Sequence, residues 1–142
     1  MVACYLSLAG PDGLPFIEEK LLANRNSSYS QTYSAIMALR FHGTDAEVID
    51  QQRIVKSFRL LLDRPALADL IIPDLARWKD WESADVLAKL FKEATPENRF
   101  IRVPIVVYMR LCPLPEAEKY MDEFRKIDAK SVEKAELAYP FG

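Results

Sequence analysis

Large apolar residues recur along this chain three and four positions apart, the period of a helix with one covered face. The first run, Val2–Ala9, reads as the last turns of a helix in a unit whose first part is missing. Gly10-Pro11-Asp12-Gly13 breaks it. Leu14, Ile17, Leu21 and Leu22 then predict a helix to about Ala23, followed by a polar turn from Asn24 to Ser28. The next helix, Tyr29 to His42, is expected to bury Tyr33, Ile36, Met37 and Phe41, with Gly43 closing its end. Thr44-Asp45-Ala46-Glu47 has the form of a capping box, in which the threonine accepts from an amide one turn on and the glutamate reaches back. The helix it opens should run to about Asp63, with Ile54, Val55, Phe58, Leu61 and Leu62 on one face.

Arg64-Pro65 starts another helix, because proline suits the first turn. Leu67, Leu70, Ile71, Leu75 and Trp78 follow at helical spacing, and Pro73 must kink or split that helix. Asp80 to Ser83 begins the next, with Leu87, Leu90, Phe91 and Ala94 inward, and Thr95-Pro96 stops it. Phe100 to Cys112 is apolar enough to be the most buried element. Its valines and isoleucines favour a strand by propensity, but we assign a helix with Pro104 in its first turn, because the segment it repeats is a better helix former. Pro113 and Pro115 precede a helix with Ala117, Tyr120, Met121, Phe124 and Ile127 inward. A last helix covers about Ala129 to Ala138, and Pro140 to Gly142 is a tail.

That repeat is visible as an ungapped offset of 70 residues. Ile17-Glu18-Glu19-Lys20-Leu21 falls on Leu87-Ala88-Lys89-Leu90-Phe91, and Ala35-Ile36-Met37-Ala38-Leu39-Arg40-Phe41 on Ile105-Val106-Val107-Tyr108-Met109-Arg110-Leu111. A hydrophobic pattern recurring at fixed spacing marks stacked structural units.

Composition narrows the partners rather than the fold. The chain has 142 residues, half of them hydrophobic, and a net charge of −2, which fits one ordered domain spanning 1–142. Its 19 basic and 21 acidic residues give no basic surface for phosphate, so neither nucleic acid nor an anionic membrane is an expected partner. Acidic residues precede basic ones in three helices, as the backbone dipole favours: Asp45, Glu47 and Asp50 before Arg53, Lys56 and Arg59; Glu82 and Asp85 before Lys89 and Lys92; Glu116 and Glu118 before Arg125 and Lys126. These charges therefore read as solvated faces. No apolar run reaches the ~20 residues of a membrane span, and the opening residues lack the basic start of a signal peptide, which leaves the compartment open. Cys4 and Cys112 sit in apolar runs and are expected to be small buried hydrophobes rather than a disulfide.

Chemistry-bearing motifs are scarce. His42, the one histidine, lies at a helix end before Gly43, and a metal site needs several ligands at recognisable spacing. There is no nucleophile elbow, phosphate loop or dinucleotide fingerprint, and Glu18 and Glu19 are adjacent and point apart on a helix. We therefore expect no catalytic residue, no cofactor and no metal. Arg40, Arg77 and Arg110 recur near matching points, each beside a large apolar residue (Phe41, Trp78, Leu111). Either they line a groove for an acidic or extended partner segment, or each pairs with a carboxylate such as Asp74 and holds the stack. Trp78 and Trp81 flank Lys79-Asp80, as corner packing or as an exposed anchor.

Ala35-Ile36-Met37-Ala38-Leu39-Arg40-Phe41-His42-Gly43 resembles the second helix of a HEAT or armadillo-type unit, with an alanine, then Ala-Leu three residues on, then a glycine. Ile101-Arg102 resembles the Val-Arg pair that opens such helices, although Pro104, Ile105 and Tyr108 depart from the pattern. Ser34 to Gly43 and Ile72 to Trp78 also resemble the C-terminal part of a group of planctomycete-type bacterial proteins, which implies a piece of something longer. The resemblance implies an all-α fold of seven to nine helices, stacked as antiparallel pairs into a short right-handed solenoid. It also implies a non-catalytic protein-binding or scaffolding module. Its partner would be a protein, a neighbouring domain of the same chain, or a second copy meeting it through uncapped solenoid ends. The alternatives are a purely structural spacer or an accessory domain of an enzyme.

Overall fold

A computed structural model describes residues 2–44 and 49–140, and among them every regular element is helical. The segment expected at residues 100–112 is helical despite its β-branched content: a 3-10 turn, Arg99–Ile101, leads into an α-helix, Arg102–Leu111. The chain divides into two compact units, Met1–Leu67 and Ala68–Gly142.

In the first unit, α1 (Val2–Ala9) packs on α3 (Tyr29–Thr44). Between them the glycine-proline break forms a 3-10 turn, Gly10–Gly13. Gly10 has φ +63° there, and a Cβ on Gly13 would stand 2.9 Å from the Tyr5 ring. Helix α2 (Leu14–Ile17) widens into a π-helical turn, Glu18–Leu22, closed by Ala23 N donating to the Glu18 carbonyl at 2.7 Å. A π turn leaves carbonyls without their usual partners. One of the Arg64 guanidinium nitrogens takes up two of them, Leu21 O and Leu22 O, each at 3.1 Å, and also reaches the Ser27 and Thr32 hydroxyls. Glu18 meets Arg53 Nη1 at 2.5 Å and the buried Ser57 hydroxyl at 2.7 Å. Burial works to raise the Glu18 pKa, but the bonds from Arg53 and Ser57 outweigh it and hold the carboxyl below its usual value.

Thr44, the first residue of the expected capping box, is the last residue of α3, one beyond the expected glycine stop. Asp45–Val48 lie outside the described residues. Helix α4 (Gln51–Arg59) opens on Asp50, whose carboxylate accepts from Gln52 N at 3.3 Å. It tightens into a 3-10 turn, Leu60–Asp63, and buries Ile54, Val55, Phe58, Leu61 and Leu62 as the spacing predicted.

Proline places the next two helices. Helix α5 (Pro65–Ala68) starts on Pro65 at the junction, and Pro73 splits the following pattern into α6 (Ile72–Arg77). Lys79, at φ +58°, ends α6 with Asp80 N bonded to Leu75 O at 2.8 Å and Lys79 N to Ala76 O at 3.1 Å, the paired bonds of a left-handed helix cap. The turn carries the Asp80 carboxylate to the Ser83 hydroxyl at 2.6 Å and the Asp80 carbonyl to the buried Tyr108 hydroxyl, which donates to it. Helix α7 (Ala84–Glu93), α8 (Arg102–Leu111) and α9 (Pro115–Ala138) follow.

Side-chain pairs fix how these helices run. Arg102 at the start of α8 meets Asp128 far along α9, so α8 and the first part of α9 are antiparallel. Asp85 and Phe91 of α7 meet Tyr120 and Phe124 in the same order, so α7 runs with α9. Helix α9 breaks at Asp128 (φ −151°, ψ 76°), where the sequence separates two helices, and turns back so that Arg125 meets Glu136 at 3.3 Å. The Asp128 carboxylate caps residues 129–138 by accepting from Ser131 N at 3.2 Å and Ser131 Oγ at 2.7 Å. Ile127, expected inward, is nearly half exposed, because the break turns that position away from the core.

The Tyr120 hydroxyl donates to the Asp85 carboxylate and joins α7 to α9. That bond, with burial and the nearby carboxylates, raises its pKa from 10.0 to about 12. The neutral phenol is the favoured form in the fold. Its contribution to stability is full below the unfolded value of about 10 and is lost as pH rises through about 12. In a tyrosinate absorbance titration, Tyr120→Phe is expected to remove a transition near pH 12. An unchanged titration curve would contradict the pairing.

Candidate functional site

Helix α3 is apolar on two sides. Its inner face holds Thr32, Ala35, Ile36, Leu39 and His42, all buried. At 100° per residue, Tyr29, Tyr33, Met37 and Phe41 fall on the opposite arc, each one turn above the last. They are exposed by 58%, 41%, 41% and 47%. Tyr33, Met37 and Phe41 were expected inside. The α3 packing instead selects the face with the smaller residues, which lets α1 and α4 approach closely. The Tyr29 and Tyr33 rings stack at 6.0 Å, and Arg40 Nη1 lies 3.2 Å from the Met37 sulfur. The outcome is a continuous outer row of three rings and a thioether beside a guanidinium, on a helix that carries no carboxylate.

The repeated arginines divide between the units. Arg40 belongs to this row in the first unit. In the second, Arg77 is exposed and pairs with the buried Asp74 one turn before it, at 3.4 Å. Arg110 donates to the Tyr139 carbonyl at 2.6 Å. Trp78 is buried, and Trp81 sits edge-on to Tyr108 at 5.2 Å. These four residues do not converge on one pocket. Arg110 lines a cleft of about 410 Å³ with Met109, Cys112, Met121, Glu118 and Arg125. Arg125 is taken up there by Asp122 and Glu136, both at 3.3 Å. Cys112 is buried and Cys4, expected inside, is exposed; both are free thiols. Tyr5, its neighbour along α1, turns its ring over Gly13 and Phe16.

The most strongly held charge is structural. Buried Asp128 Oδ2 accepts from Arg99 Nε at 3.0 Å, Arg102 Nη1 at 2.9 Å and Ser131 Oγ. Arg102 also donates to the Phe91 carbonyl at 3.0 Å and lies 4.9 Å over the Phe91 ring. The hydrogen bond from Arg99 leads the causes that hold the Asp128 carboxyl far below its usual value, against the opposing effect of burial. Sequence reading missed both this cluster and the α3 row. For the row a signal existed: large apolar residues at 29, 33, 37 and 41, alongside a second apolar series at 35, 36 and 39.

Among the described residues no three histidine, cysteine or carboxylate side chains gather as metal ligands, and no helix is long and apolar enough to cross a membrane. The fold and the row define an all-helical protein with an exposed aromatic helix face. Compared with protein families, with curated proteins and with solved structures, the chain matches none of them.

Proposed function

We propose that this chain is a non-catalytic protein-binding or scaffolding module of the HEAT-like α-solenoid kind, and that its docking surface is the outer row of α3. The single observation behind this reading is that α3 is apolar on both faces while the chain covers one of them. A helix apolar all round is at home where both faces are buried. Aromatic residues, methionine and arginine are also the types enriched at interface centres, and the row consists of them. Met37 and Arg40 adapt their shape to a partner, and the rings supply area at little cost in side-chain freedom.

Tyr33→Ser with Phe41→Ser tests this at exposed positions, where a substitution leaves the core intact. Matched wild-type and variant baits are incubated with lysate of the source cells and with purified protein of the same chain. A protein retained by wild type is expected to fall at least tenfold on the variant, with circular dichroism unchanged. Equal retention by both baits would defeat the reading.

A further inference from the structure

We infer that the cleft between α8 and α9 is a binding site for a free α-amino acid with an apolar side chain. The site lies in the second unit and does not depend on the α3 row. The antiparallel register set by Arg102 and Asp128 brings the end of α8 beside the first turns of α9. The segment that turns back after Asp128 adds Glu136 to the cleft wall. The cleft volume of about 410 Å³ falls in the range of small-molecule sites.

Charge defines the head group. Arg125 bridges Asp122 and Glu136, both at 3.3 Å, so these charges along the wall answer one another. Arg110 and Glu118 line the same cleft and do not. Arg110 gives one guanidinium nitrogen to a neutral group, the Tyr139 carbonyl, and among the described residues it meets no carboxylate at ion-pair distance. Glu118, in the first turns of α9, meets no cation at that distance among them. A simple anion entering the cleft would face its excess of carboxylates, and a simple cation would leave Arg110 without a counter-charge. A zwitterion answers both. A guanidinium carries several N–H donors in a planar fork. The bond to Tyr139 therefore orients Arg110 and leaves donors for a carboxylate, the anion that such a fork matches. The Glu118 carboxylate accepts from the ammonium.

The floor defines the rest of the ligand. Met109, Cys112, Ala117 and Met121 line the cleft, and all are buried. Among the described residues no hydroxyl, amide or imidazole side chain lines it. The floor thus offers nothing to read a polar side chain, and its unbranched thioethers refit around an aliphatic one.

The whole chain, labelled with carbon-13 at its methionine methyls, is titrated with L-leucine. The Met109 and Met121 signals are expected to shift saturably at millimolar leucine, while Met37, in the first unit, stays unmoved. Isocaproate lacks the ammonium and isopentylamine lacks the carboxylate. Each is expected to bind at least tenfold more weakly, because each leaves one charge-assisted hydrogen bond unmade. Arg110→Gln and Glu118→Gln are both expected to lose at least tenfold for leucine, with circular dichroism unchanged. Glu118 is exposed, so Glu118→Gln keeps the test decisive even where Arg110→Gln loosens the contact to Tyr139. The absence of a saturable shift, equal affinity for either singly charged analogue, or an unchanged leucine affinity in Glu118→Gln would overturn the inference.

Discussion

Replacing Asp128 by alanine is expected to destabilise the second unit by about 3–4 kcal/mol, because breaking a buried charge pair strands the partner charge. Its carboxylate serves Arg99, Arg102 and the amide and hydroxyl of Ser131. Removing it leaves the buried Arg102 guanidinium with the Phe91 carbonyl alone and uncaps residues 129–138. Asp128→Asn is expected to cost less, since an amide still caps a helix. Arg102→Ala is expected to cost more than Arg99→Ala, because Arg99 is 57% exposed and Arg102 is 10% exposed at the side chain. The same pairing sets an acid limit. A carboxyl with a depressed pKa stabilises the fold fully above its unfolded value of about 3.9, and that contribution is lost as pH falls through its lower folded value. Urea unfolding followed by tryptophan fluorescence reads the unit directly, since Trp78 and Trp81 both lie in it. Wild type is expected to lose stability below about pH 4 and the alanine variant to lose less. Parallel pH profiles would remove Asp128 from the account.

Phe124→Ala is expected to cost about 4 kcal/mol, in the range for deleting a buried aromatic ring. Phe124 is fully buried, stacks on Phe91 at 3.8 Å and lies parallel to Tyr120 at 6.4 Å. Phe91 in turn carries the Arg102 guanidinium on its ring, so the cavity would reach the charge cluster. The two substitutions are therefore expected to be non-additive, since their sites share a partner. A double-mutant cycle in urea checks this, and simple addition would mean that ring stack and charge cluster act independently.

Much of the helical order was legible because it is written locally. Pro65, Pro73 and Pro115 each stand in the first turn of a helix, as a residue without an amide hydrogen must. Ile54, Val55, Phe58, Leu61 and Leu62 share a buried face because only one side of that segment is apolar. The break between residues 127 and 129 was legible too. Of the capping box only Thr44 is described, as the last residue of α3, and α4 opens on Asp50.

The sequence by itself determined that this chain is helical and where proline and glycine punctuate it, because those constraints act between neighbours. It also placed apolar residues on two sides of α3, although their spacing was read as one buried face. Which side faces inward was settled only by the tertiary structure, since periodicity scores both faces alike and burial depends on what α1 and α4 can pack against. Asp128 shows the same division. Its helix-breaking position is a local property, but its worth as the counter-ion of Arg99 and Arg102, 29 and 26 residues away, exists only once α8 and α9 lie side by side.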